Sequence, residues 1–266
     1  MSQVDNTDGS ALQKVKDDDG PVDTRVMDED ASVQEQGSSA PAFYTPSMML
    51  NTMNETMANV GGSVELKRKL DDGTLVPSTE GDKKAADLSA KMRQSAEEVF
   101  GMSFGEKVAW ALERRKAGND LFASGEFQEA MDVYMTALVA VSKEEAEEKE
   151  SDVKVALPAL LNLAQCALNL GNASKVVAFC DHALSLKSGA GAKSAKVRYR
   201  RGKGKLMVGD YKAARADLEA ALELCQEDGD ERRAVERELK KLKGNVKEAK
   251  RSKDRVKQAM IGLVKG

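Results

Sequence analysis

Two pairs of donor side chains stand one helical turn apart in this chain: Arg115 with Asn119 in "RRKAGNDLF", and Lys196 with Arg200 in "KSAKVRYRR". An i,i+4 spacing places both members of a pair on one helix face. Guanidinium, ammonium and carboxamide groups donate hydrogen bonds without having to titrate, so faces of this kind suit carboxylates. A chain ending in Asp or Glu presents two of them at once. Each charge-assisted bond is worth ~1.5–3 kcal/mol, and several together support micromolar binding after ordering costs are deducted.

Catalytic chemistry has much less to stand on. His182 is the single histidine and has no Cys, Ser or carboxylate template around it. Cys166, Cys180 and Cys225 form no CxxC pair, and one of three is left over in any disulfide scheme, which points to a reducing compartment. There is no glycine-rich phosphate loop and no metal-ligand spacing. The expectation is a binding protein rather than an enzyme, with no catalytic residue, no cofactor and no metal.

The elements that position these donors must be helical. Apolar residues are mostly Ala, Leu, Val and Met, against one Trp, four Tyr and six Phe, a mix that favours helix over sheet. The formal net charge of −3 conceals an asymmetry: residues 1–60 hold eleven Asp/Glu and three Lys/Arg, residues 231–266 thirteen Lys/Arg and five Asp/Glu. No signal peptide and no apolar run long enough to span a bilayer is found, so the protein is expected in the cytoplasm without stable membrane insertion. "KRK" at 67–69 is a weak nuclear-localisation candidate.

Residues 1–92 are rich in Asp, Ser, Gly, Thr and Gln and read as a disordered acidic segment, too poor in apolar surface to offset the entropy of ordering. One island, "PAFYTPSMMLNTMNETM" at 41–57, carries two aromatics and four methionines; it suits either an ordinary linker or a short helix formed against a partner.

From residue 93 onward the pattern is repetitive. Three segments align on a turn glycine: Gly125, Gly171 and Gly209. With that glycine as position 15, position 8 is Gly118, Ala164 and Gly202, position 20 is Ala130, Val176 and Ala214, and position 27 is Ala137, Ala183 and Ala221. Position 24 is larger: Tyr134, Cys180 and Leu218. Small residues at 8, 20 and 27 let two antiparallel helices approach closely, and the residue at 24 fills the space between them.

This spacing resembles the tetratricopeptide repeat, a helix-turn-helix unit of about 34 residues. The resemblance implies an all-α fold: a right-handed superhelix of three repeats at about 107–144, 153–188 and 192–226, within a domain spanning 93–226. The repeats start at 111, 157 and 195, so surplus residues fall in both intervals. The first surplus, "SKEEAEEKESDVK" at 142–154, suits an extended, solvated second helix. Such an insertion, with "LLNLAQCALNL" and "VRYRRGKGKL", is similar to the tetratricopeptide domains of FKBP-type immunophilins and cyclophilin relatives. Members of that group usually carry an isomerase domain ahead of the repeats, which residues 1–92 do not resemble.

The resemblance also implies a ligand. Repeat domains of this group that bind the acidic C-terminal tails of heat-shock chaperones use five positions as a carboxylate clamp, which fall here on Arg115, Asn119, Asn162, Lys196 and Arg200. Four match the family's residue types; Arg115 stands where lysine is usual, and its planar guanidinium allows bidentate binding. Taken alone, the two asparagines suit a structural role in the repeats. Likewise "KSAKVRYRRGKGK" at 193–205, with seven basic residues and no acid, suits a solvated face or a nucleic-acid patch. The agreement of five positions with one template favours the clamp, so nucleic acid is not an expected partner. The leading reading is a co-chaperone adaptor; a general interaction scaffold and a divergent, inactive isomerase relative are the alternatives.

Residues 227–266 read as one long basic helix. Val235, Leu239, Leu242 and Val246 form a stripe at helical spacing that can cap the open end of the stack. Beyond it, Val256, Met260, Ile261, Leu263 and Val264 suit a solvated extension of the cap; their basic context is also of the type calmodulin takes up, or that lies on acidic lipid, and immunophilin relatives often have such a region.

Overall fold

The computed structural model describes residues 45–58, 60–227 and 229–265, with the side chains at 259 and 261–265 left out. Ten α-helices run through these residues: α1 Pro46–Ala58, α2 Glu80–Glu98, α3 Phe104–Ala123, α4 Phe127–Ala137, α5 Glu145–Ser151, α6 Leu157–Asn169, α7 Ala173–Leu184, α8 Ala195–Met207, α9 Tyr211–Leu224 and α10 Asp230–Lys265. A two-stranded antiparallel hairpin, β1 Lys67–Lys69 and β2 Leu75–Pro77, separates α1 from α2. The three repeats are α3/α4, α6/α7 and α8/α9, stacked so that α4 meets α6 and α7 meets α8.

One turn geometry recurs in all three repeats. Gly125, Gly171 and Gly209 take φ of 82°, 70° and 78°, the left-handed region open to glycine. At each, the glycine N–H and that of the next residue bond back to the closing helix: Gly125 to Phe122 and Glu126 to Leu121, Gly171 to Leu168 and Asn172 to Ala167, Gly209 to Leu206 and Asp210 to Lys205. This is a Schellman closure. Its last residue is also the N-cap of the second helix. Asn172 and Asp210 accept from the N–H of Lys175 and Ala213, whereas Glu126 makes no side-chain cap bond.

The packing register predicted from sequence is present. Position-8 and position-24 residues meet directly: a methyl group added at Gly118 would stand 2.5 Å from the Tyr134 ring, and one at Gly202 would stand 2.9 Å from Leu218. Ala130, Val176, Ala214, Ala137, Ala183 and Ala221 are all buried. Tyr134, Cys180 and Leu218 are buried with them, and one core runs from α4 through α6 and α7 to Val197 on α8. A second core joins α9 to the start of α10 through Leu218, Val235 and Leu242.

The structure departs from the sequence reading in two places. Residues 46–92, expected to be disordered with the rest of 1–92, form α1, the hairpin and most of α2, and "KRK" is strand β1. Local polar bonds supply what apolar burial does not: Thr79 and Asp82 form a capping box at the start of α2, and Asn54 bonds both the N–H and the carbonyl of Val64. Ser47 N–H donates to Asp87, while Lys91–Asp132 and Glu98–Arg114 tie α2 to the first repeat. Residues 1–44, including Phe43 and Tyr44, lie outside the described residues.

The second departure concerns the first surplus. Its residues extend the first helix of repeat two rather than the second helix of repeat one. Val141 adopts extended backbone after α4, and α5 then runs into α6 through a π-helical turn at Asp152–Ala156. The connection after α7 packs on this extension, with Lys187 paired to Glu148 and buried Asp152 accepting from the Ser188 N–H.

Two substitutions test this account. Gly118→Ala should destabilise the protein by about 1–3 kcal/mol in thermal or urea unfolding, because the methyl must displace a buried ring; Gly244→Ala on α10, where a methyl meets nothing within 4 Å, should instead gain up to ~1 kcal/mol of helix propensity. Glu126→Asn supplies the missing cap at a backbone conformation close to that of Asn172, and should raise stability by about 1 kcal/mol and the Tm by about 2–4 °C.

Candidate carboxylate-binding groove

The first helices of the repeats carry the five predicted residues: Arg115 and Asn119 on α3, Asn162 on α6, Lys196 and Arg200 on α8. Two of them touch directly, and a third bonds the backbone of the helix that carries Asn162. Asn162 Nδ2 donates to Asn119 Oδ1 at 3.2 Å. One residue along the same helix, the carbonyl of Leu161 accepts from the Arg200 guanidinium. Asn162 and Arg200 are 1% and 6% exposed, so their polar groups are held inside the stack rather than on its rim.

Tyr134, which sequence reading treated only as packing, belongs to this cluster. Its hydroxyl donates to Asn119 Oδ1 at 2.7 Å. Burial raises the phenol well above its ordinary range, while Arg115 stands near enough to act in the opposite direction. The hydroxyl therefore stays protonated at neutral pH and serves as a donor. Because Asn119 Oδ1 accepts from both Tyr134 and Asn162, its Nδ2 is the end with hydrogens to give. Packing and positioning converge on one residue: the ring that covers Gly118 also holds the Asn119 amide.

Asn162 has a second feature. Its Oδ1 is fully buried and has no hydrogen-bond partner among the described residues. Buried acceptors are nearly always paired, so this atom is an exception within the cluster.

Lys196 is arranged differently. It shares a face with Arg200, and its ammonium lies 3.2 Å from the Glu231 carboxylate in the first turn of α10. No pattern in the sequence marks α10 as reaching this helix. Two other basic residues of the 193–205 run are engaged elsewhere: Arg201 bonds Asp217 and Asp181, and Lys205 joins Asp217. Burial alone would push the Asp217 carboxyl up, but bonds from Arg201 and Lys205 hold it below its usual range. Burial in the apolar core pushes the thiols of Cys166 and Cys180 up to about 12.

Paired antiparallel helices with small residues at the crossing, repeated three times and closed by a capping helix, define a tetratricopeptide-repeat domain. The chain resembles the corresponding region of FKBP-type immunophilins. It is 28% identical over 170 residues to peptidyl-prolyl cis-trans isomerase FKBP42 of Arabidopsis thaliana, covering 62% of this chain and 44% of that protein. Against human peptidyl-prolyl cis-trans isomerase FKBP4 the identity is 25% over 193 residues, covering 71% of this chain and 37% of the relative. The chain thus spans less than half of these relatives. Among solved structures, the first TPR of Spaghetti (RPAP3) bound to the HSP90 peptide SRMEEVD aligns with a TM-score of 0.39 and 23% identity, over 51% of this chain and 92% of that one. No family model matches. Among the described residues, no helix is long and apolar enough to cross a membrane.

Tyr134→Phe tests the positioning role. It keeps the ring and removes one bond, so stability should fall by only about 1 kcal/mol. The Asn119 and Asn162 side-chain amide resonances should both move in an NMR spectrum; a change confined to residues touching the ring would leave Tyr134 as packing alone.

Proposed function

We propose that this domain docks the free acidic C terminus of another polypeptide, of the kind that ends heat-shock chaperones, and so acts as a co-chaperone adaptor. The observation that carries the reading is the unpartnered Asn162 Oδ1 beside a set of donors. A simple anion offers acceptors only. A peptide terminus offers carboxylate oxygens to Arg115, Asn119, Lys196 and Arg200, and also a backbone N–H for a buried acceptor. The ligand class that fits both needs is a chain end. Lys196 would exchange Glu231 for a ligand carboxylate, a near-even trade for exposed ion pairs, so the buried Asn119–Asn162 pair carries more of the affinity.

The test is calorimetric titration of the full chain with a peptide ending Glu-Glu-Val-Asp. Micromolar binding is expected, weakening with salt. Asn162→Ala should weaken it at least tenfold and Lys196→Ala by less than that, with far-UV circular dichroism unchanged in both. Equal affinity for the C-terminally amidated peptide would exclude a clamp on the terminal carboxylate. Binding indifferent to Arg200→Glu would favour a general scaffold whose groove takes an internal segment.

A further inference from the structure

α10 is 36 residues long, and only its first part touches the stack. Val235, Leu239 and Leu242 pack on α9 and α8. Beyond Leu242 each residue to Gln258 is exposed. The apolar spacing does not stop there. Val246, Ala249, Lys253, Val256 and Met260 continue the same alternation of three and four residues. Val246, Val256 and Met260 are 42%, 57% and 64% exposed.

A strict seven-residue repeat drifts around a straight helix by ~20° per heptad, and it stays on one face only when the helix supercoils around another. The inner half of the seam is covered by the stack. We propose that the outer half is one strand of a two-helix coiled coil whose other strand is a helix with acidic flanks.

Charge selects that occupant. Lys243, Lys250 and Lys257 recur every seven residues along one side of the seam, all exposed. The other side carries Asn245 and Ser252. A second copy of the chain complements neither: in a parallel pair the lysines meet Asn and Ser, and in an antiparallel pair they meet each other. A partner with Glu or Asp at its flanking positions answers the whole row. Lys253, in the seam itself, adds to this, because a single lysine there costs stability unless a carboxylate lies across from it. The flanks next to the covered half are instead acidic, Glu236 and Glu238, so the change to lysine coincides with the point where α10 leaves the stack.

The experiment uses the full chain and a designed four-heptad peptide with Val and Leu in the seam and Glu on both flanks. Controls are the same peptide with Lys flanks and one of scrambled order. Fluorescence anisotropy should show the acidic peptide binding at least tenfold more tightly than either control, with a gain in helical circular dichroism on mixing. Val256→Asp with Met260→Asp should abolish binding without changing the melting temperature, since both sites are exposed. Lys243→Glu, Lys250→Glu and Lys257→Glu together should reverse the preference toward the Lys-flanked peptide. Equal binding of the three peptides would overturn the proposal. So would a dimer in sedimentation equilibrium that the Val256/Met260 variant dissolves, which makes the occupant a second copy. Capture by calcium-loaded calmodulin with no binding of the acidic peptide would likewise assign the segment to a different class of partner.

Discussion

Everything in this fold depends on how closely two helices of a repeat can approach, and that distance is fixed by a glycine or alanine on one helix and a larger side chain on the other. Gly118 under Tyr134 and Gly202 under Leu218 leave no room for a further methyl. Glycine inside a helix costs about 1 kcal/mol in propensity, yet the approach it permits buries the residues at positions 20, 24 and 27 on both sides. The same approach sets where the groove-lining atoms lie. Only the first repeat has a hydroxyl at position 24, and that hydroxyl reaches Asn119. In the second and third repeats Cys180 and Leu218 fill the same space without a polar tip.

Buried polar groups in the groove follow from that geometry. Arg200 and Arg201 are neighbours in sequence but turn to opposite sides of α8. Arg200 reaches across to the Leu161 carbonyl, while Arg201 forks onto Asp217 and also meets Asp181, linking α7, α8 and α9. A buried pair of this kind is weak evidence for extra stability, since desolvation offsets much of the attraction, but it fixes which way the helix faces. With Arg201 and Lys205 committed to Asp217, α8 is held with Arg200 turned toward α6. The structural ion cluster on one side therefore orients the candidate binding residue on the other.

The repeats were legible because their signal is redundant. Three glycines, nine positions of matched size and a common turn recur in register, so errors at one place are corrected by the others. The five clamp candidates were legible only as positions, and Tyr134 and Glu231 were not legible as their neighbours. A large residue at position 24 is explained fully by packing, and nothing in α10 announces which helix its first turn will meet. The basic run at 193–205 was ambiguous for a related reason: a one-dimensional string of seven cations does not say which of them point inward. Between residues 46 and 92 the structure differs from the disorder expected, because composition measures apolar content, whereas α1 and α2 rest largely on caps, amide bonds and ion pairs. The Thr79–Asp82 capping box was visible as "TEGD" and was the available signal.

α10 shows how one periodic pattern can serve two surroundings. A cap for a helical stack needs an apolar stripe of a few turns, and Val235 to Leu242 supplies it. Solubility of the remaining length asks for no stripe at all; a solvated extension is free to scatter its apolar residues. The persistence of the three-four spacing through Met260, together with the switch of flanking charge from Glu to Lys at the edge of the stack, is therefore not accounted for by capping. Gly244 stands at that edge, with open space around it. A helix interior glycine that no neighbour requires lowers local helix stability by about 1 kcal/mol. It lets the outer half respond to a partner without disturbing the inner half, which Val235 and Leu242 keep bound to the repeats.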